Sequence, residues 1–157
     1  MDRTLSPQAK QEIEQLCARY PTRAAALLPT LYVAQRELGV IDDAAIALVA
    51  AELGVPAVRV REVATWYTMF RTQPEGRHLI EVCTNLSCHL CGGRELLDAV
   101  CHELGIQPGE TTSDGKFTVR EVECLGSCGT APVMQIDGAF VENLTVEKAT
   151  AALRSAP

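Results

Sequence analysis

The stretches LIEVCTNLSC (Leu79–Cys88) and FTVREVECLGSC (Phe117–Cys128) follow one plan, an apolar segment running into two cysteines. Leu79–Val82 and Phe117–Glu123 read as β-strands, the second with Phe117 and Val119 alternating, so each first thiol stands where a strand gives way to a loop. Between them Arg94–Leu104 carries Leu96, Leu97, Val100, Cys101 and Leu104 on one helical face, and Gly105 is its stop. Two strands joined by a long helical connection run parallel.

Working outward from this core, residues 107–116 form a polar loop, and Val133–Ile136 and Ala139–Val141 flank Asp137-Gly138, a strong hairpin signal. Thr145 caps a last helix reaching Leu153. The order β–α–β–β–α is that of a thioredoxin-like α+β layer. Upstream the period is helical throughout. Ser6-Pro7 starts a helix carrying Ala9, Ile13, Leu16 and Cys17, which Pro21 ends. Thr22 caps a second helix with Leu27, Leu28, Leu31 and Leu38 inward, kinked or delayed by Pro29 and closed by Gly39. Asp42 caps a third with Ile46, Val49 and Leu53 up to Gly54, and Pro56 opens a fourth with Val60, Val63 and Tyr67 on one side. The expected fold class is α+β: an N-terminal four-helix bundle over residues 1–73, followed by a thioredoxin-like domain over 74–157.

Two strand-end loops offering two thiolates each can close a Cys₄ shell round a metal centre, and both iron–sulfur clusters and tetrahedral zinc accept four thiolates. The gaps are four residues between Cys83 and Cys88 and three between Cys124 and Cys128. The second loop, Leu-Gly-Ser, is small enough for backbone N–H groups to approach bridging sulfides, and Gly126 and Gly129 permit positive φ. A [2Fe–2S] cluster is the first reading and zinc the second. Cys91 makes a rival ferredoxin spacing, C-x4-C-x2-C, with a fourth cysteine 33 or 37 positions on; it leaves one of Cys124 and Cys128 without a role. With Cys88, Cys91 also spells the CxxC of disulfide oxidoreductases, which have no use for the other three thiols. Cys91 otherwise caps the 94–104 helix or stands beside the cluster. Cys17 and Cys101 lie on apolar helical faces and read as core. His89 reads as a neighbour of the site and His102 as solvated.

The totals narrow the class. A chain of 157 residues with 47% apolar residues builds a real core. A net charge of −6 argues against general nucleic-acid binding and fits a specific protein partner. Asp42–Tyr67 has a helix-turn-helix outline, but Arg59 and Arg61 alone make a poor phosphate-binding face, and Val58, Val60 and Val63 are wanted inside. The N-terminal MDRTLSPQAK has no apolar signal region. The longest apolar run, Ala44–Ala51, falls far short of the roughly 20 residues that span a bilayer. Seven cysteines without a signal peptide point to a reducing cytoplasm rather than a disulfide framework. No Ser-His-Asp set, phosphate-cradling glycine loop or paired acid is present, so no residue is assigned a catalytic role.

The runs ATWYTMF (Ala64–Phe70), VCTNLSC (Val82–Cys88), ECLGSCGTAPVMQI (Glu123–Ile136) and ENLT (Glu142–Thr145) together resemble one family. It is that of the thioredoxin-like [2Fe–2S] E-type subunits of NADH:quinone oxidoreductase, respiratory complex I. Related subunits occur in NAD-reducing hydrogenases and NAD-dependent formate dehydrogenases. The resemblance implies one [2Fe–2S] cluster per chain on Cys83, Cys88, Cys124 and Cys128, with Cys91 a departure from the family. It implies one-electron exchange with a partner flavoprotein that holds FMN and NADH, and a cytoplasmic place, peripheral to the inner membrane through the complex. It also makes Pro132 the counterpart of the cis-proline of thioredoxin-like folds. The helical region is the expected docking module, with Trp66, Tyr67, Met69 and Phe70 either anchoring a partner or closing the bundle.

Overall fold

Capping side chains place the helices of the first half. The computed structural model describes residues 3–156 and divides into two units, Met1–Pro74 and Glu75–Pro157. In the first, α1 spans Pro7–Cys17, and the Ser6 hydroxyl accepts from the Ala9 N–H at 3.1 Å. Thr22 caps a 3-10 turn, Arg23–Ala26, before α2 runs over Leu27–Leu38. The delay attributed to Pro29 is therefore real: the ring falls in the first turn of α2, where no intrahelical N–H bond is lost. The Asp42 carboxylate accepts from the Ala45 N–H at 2.9 Å and opens α3, Asp43–Leu53, which Gly54 ends in the left-handed conformation. α4 spans Ala57–Trp66.

These helices share one core in which Ile13, Leu31, Ile41, Val49 and Val60 are fully buried. Phe70 belongs to it, with the Tyr32 ring 5.1 Å away. Two expectations need correction. Val58 is 64% exposed, because it lies two residues from Val60 and a helix turns about 200° over that interval. Tyr67 ends α4 and is half exposed rather than facing inward. Arg59 pairs with Glu62 and Arg61 with Asp43, so the helix-turn-helix outline presents no unpaired basic face at those two positions.

The second unit is built on a four-stranded sheet in the order β2-β1-β3-β4: β1 His78–Cys83, β2 Phe117–Val122, β3 Met134–Ile136 and β4 Ala139–Val141. β1 and β2 are parallel, as the connecting helix requires, and β3 is antiparallel to both β1 and β4. Asp137 and Gly138 turn the β3–β4 hairpin with φ of 53° and 82°, the positive values that a two-residue turn of this hand needs. Helix α6, Gly93–Leu104, packs on β1 and β2 and beside α7, Val146–Ser155. Ile80, Val82, Leu96, Val100, Val119, Met134, Leu144 and Leu153 form the core, and Cys101 lies among them.

One helix was not foreseen. α5, Leu86–Leu90, occupies the loop after Cys83. Five residues are too few to show a period, and Leu86 and Leu90 both point to solvent. The signal present was Asn85, whose side chain accepts from the Leu86 N–H at 2.7 Å and caps the helix.

Candidate metal centre

Parallel pairing brings the two cysteine loops together. Cys83 ends β1 opposite Val122, which ends β2, so both chains leave the sheet at the same end. The start of β3 arrives there too, since Cys83 N–H donates to Val133 O at 3.2 Å. The first loop then folds into α5, which carries Cys88. The second folds over Leu125-Gly126-Ser127 into a 3-10 turn, Cys128–Thr130, that packs on α5.

The two pairs of thiols differ in setting. Cys83 and Cys88 are 3% and 2% exposed and sit with buried Val133, walled by Val122, Leu125 and Ala131. Cys83 and Cys128 both lie close enough to Cys88 to act on its thiol. The Cys83 thiol also donates to Glu123 O, next to Cys124, at 3.7 Å. Cys124 and Cys128 are exposed. The Cys124 sulfur accepts the Gly126 N–H at 3.3 Å, a contact that Gly126 reaches with φ of +79°. This is a backbone N–H aimed at sulfur in the small loop, as its composition suggests.

Burial pushes the Cys88 thiol up to about 11, and the Cys83 and Cys128 thiols beside it push in the same direction. Two buried thiolates so close are untenable without positive charge, whereas a bound metal ion deprotonates its thiols outright. Among the described residues, no group of three or more Cys, His, Asp or Glu side chains is drawn together as a ready metal site. The thiols stand instead as two pairs on adjoining loops. Soft donors, an apolar wall that excludes water and an N–H bond to sulfur fit an iron–sulfur cluster.

The remaining candidates fall away from this centre. Cys91 is exposed and closes α5, its N–H donating to Ser87 O and Cys88 O, so it does not cap α6; Gly92 does. His89 and His102 are exposed, and Cys17 and Cys101 are buried in the two cores. The Ala131–Pro132 bond is cis.

Three supporting features escaped sequence reasoning. Gly93 is packed so tightly that a Cβ there would lie 2.8 Å from Cys88 O and 2.9 Å from Cys83 O. Only glycine lets α6 start against both cysteine backbones. On the first loop, Thr84 donates to Glu121 at 2.7 Å and Asn85 reaches Glu123 at 3.4 Å. On the second, Glu142 accepts from Ser127 and, at 2.7 Å, from Thr130. The adjacency of Gly92-Gly93 to the cysteines was the one visible signal.

The sequence profile of the thioredoxin-like [2Fe-2S] ferredoxin family matches residues 13–156. The chain belongs to this family. The ferredoxin is 47% identical over 146 residues to the E 2 subunit of NADH-quinone oxidoreductase from Rhizobium meliloti, covering 93% of this chain and 87% of that one. It is 38% identical over 138 residues to the E subunit of the same enzyme from Mycobacterium bovis, covering 88% of this chain and 55% of the relative. Among solved structures, an NAD+-reducing [NiFe]-hydrogenase in the H₂-reduced state superposes with a TM-score of 0.73 at 25% identity. That match covers 85% of the ferredoxin and 23% of the hydrogenase chain. Among the described residues of the ferredoxin, no helix is long and apolar enough to cross a membrane.

Proposed function

We propose that this ferredoxin is the electron-transfer subunit of the NADH dehydrogenase module of NADH:quinone oxidoreductase, with one [2Fe–2S] cluster held by Cys83, Cys88, Cys124 and Cys128. The observation that carries the reading is the meeting of two cysteine loops at one end of the sheet, in a chain 47% identical to an E-type subunit of that enzyme. When bound, such a cluster supplies a one-electron redox centre. The chain's own residues supply the setting. Val133, Val122, Leu125 and Ala131 keep water from the inner pair, and the Gly126 N–H bond to Cys124 stabilises negative charge on that sulfur.

FMN and NADH belong to a partner flavoprotein, and no side chain here acts as catalytic acid, base or nucleophile. Residues 1–73 form a four-helix bundle that docks the partner, and residues 74–157 form the cluster domain. The exposure of Trp66 and Met69 supports these two as docking anchors, while burial of Phe70 removes it from the set. Membrane association then comes only through the complex, on the cytoplasmic side of the inner membrane.

The hydrogenase match supports a second reading, the equivalent diaphorase subunit of an NAD-linked hydrogenase. Lower identity and the small share of that chain covered place it second. Recovery of the native complex and identification of its other subunits decides between the two. The primary test is the visible and electron paramagnetic resonance spectrum with iron and sulfide assays. About two irons and two sulfides per chain, bleaching on reduction, is the expected result, and a colourless protein holding one zinc would overturn it. The purified chain alone is expected not to oxidise NADH.

A further inference from the structure

Of the two cysteine loops, the second leaves its cysteines at the surface. Cys124, Gly126, Cys128 and Gly129 are all exposed, and a Cβ added at Gly126 or Gly129 would touch nothing within 4 Å. Yet Cys124 and Cys128 must present their sulfurs in fixed positions. The restraint comes from a segment twelve or more residues downstream. Thr130 Oγ1 donates to the Glu142 carboxylate at 2.7 Å, Ser127 Oγ donates to the same oxygen, and the two hydroxyls are 2.7 Å apart. The backbone closes the same junction: Asn143 N–H donates to Thr130 O at 2.8 Å and Leu144 N–H to Pro132 O at 3.0 Å. Asn143 adopts a φ of +49° there, a conformation that asparagine tolerates better than most residues.

We propose that Glu142 is a positioning residue for the Cys124–Cys128 half of the cluster site, gripping the hydroxyls on either side of Cys128. The proposal rests on the ligand assignment made above. The carboxylate is the one acceptor shared by both hydroxyls, and a charge-assisted pair of bonds is stronger than its neutral counterpart. The hydroxyls at positions one before and two after Cys128 thereby fix the turn that carries it. The ENLT run thus has a local purpose: Glu142 holds the ligand loop, Leu144 fills the core and Thr145 caps α7.

The full chain, loaded with iron and sulfide, is compared as wild type, Glu142→Ala and Glu142→Gln. The rate of iron release to a chelator and the g-values of the reduced cluster are the readouts. Glu142→Ala is expected to release iron about tenfold faster, the effect of losing roughly one charge-assisted grip, with shifted g-values. Glu142→Gln keeps an oxygen that accepts both hydroxyls but loses the charge, and is expected to release iron at a rate between those of wild type and Glu142→Ala. Wild-type release and g-values in Glu142→Ala would overturn the proposal, as would equal impairment in Glu142→Gln and Glu142→Ala. The ligand assignment fails by a different signature, a full complement of iron in Cys124→Ala or Cys128→Ala.

Discussion

The two cysteine loops solve one task by opposite means. The first is held by burial: Cys83 and Cys88 lie under Val133, α6 starts against their backbones at Gly93, and little of either thiol reaches solvent. The second lies open, and its order rests on hydrogen bonds, Gly126 N–H to Cys124 on the inside and Ser127 and Thr130 to Glu142 on the outside. A packed loop is rigid before anything binds, because displaced core atoms lose contacts on every side. A tethered loop can open by breaking a few solvent-exposed bonds, and local openings of that kind have low free energy. The contrast is between a loop fixed by packing and a loop fixed by hydrogen bonds.

The largest expected effect breaks the comparison. Alanine at Cys83, Cys88, Cys124 or Cys128 should abolish the [2Fe–2S] spectrum, while Cys91→Ala retains it; iron analysis and electron paramagnetic resonance check both. The same set sharpens the contrast in the cluster-free chain. Cys88→Ala empties a buried position and should cost about 1–2 kcal/mol of stability, whereas Cys128→Ala, at an exposed position, should leave the denaturation midpoint unchanged.

Gly93→Ala comes next. Its methyl group meets the carbonyl oxygens of both Cys83 and Cys88, backbone that cannot step aside, so overpacking should cost about 1–3 kcal/mol and lower cluster content. Wild-type iron content together with an unchanged melting temperature would show that the packed loop is less rigid than described.

A third effect is chemical. In the cluster-free chain the exposed Cys91, Cys124 and Cys128 should alkylate ahead of the buried Cys88, which resists until the pH approaches 11. The sign follows from linkage. The folded Cys88 thiol titrates above its ordinary value of 9.0, so its contribution to stability is complete below pH 9 and is lost as pH rises from 9 to 11. Mass spectrometry of alkylated peptides across that range checks it.

The smallest effect is a control in the helical unit. Thr30, in α2, buries its hydroxyl with no hydrogen-bond partner, so Thr30→Val should raise stability by about 1 kcal/mol and leave the cluster spectrum unchanged.

Much of this molecule was legible locally. Ser6, Asp42 and Thr145 cap the helices they were expected to cap, because capping depends on atoms three residues away, whereas Thr22 caps the 3-10 turn ahead of α2 and not α2 itself. Asp137-Gly138 specified its turn through the positive φ both residues adopt. The parallel pairing of β1 and β2 followed from the length of their connection. Other features were hidden. α5 carries its apolar residues outward, so it has no amphipathic signature, and the exposure of Val58 against the burial of Val60 and Phe70 turns on helix rotation and on what packs nearby.

Sequence alone determined the chemistry on offer: four thiols in two strand-end pairs, their order, and the small residues between the second two. Those are properties of residue type and short spacing. Tertiary structure decided which pair is sheltered and which is tethered. Cys83 meets Glu123 forty residues along the chain, and Ser127 meets Glu142 across fifteen. Contacts of that separation leave no periodic trace in a sequence, because they exist only once the strands have paired.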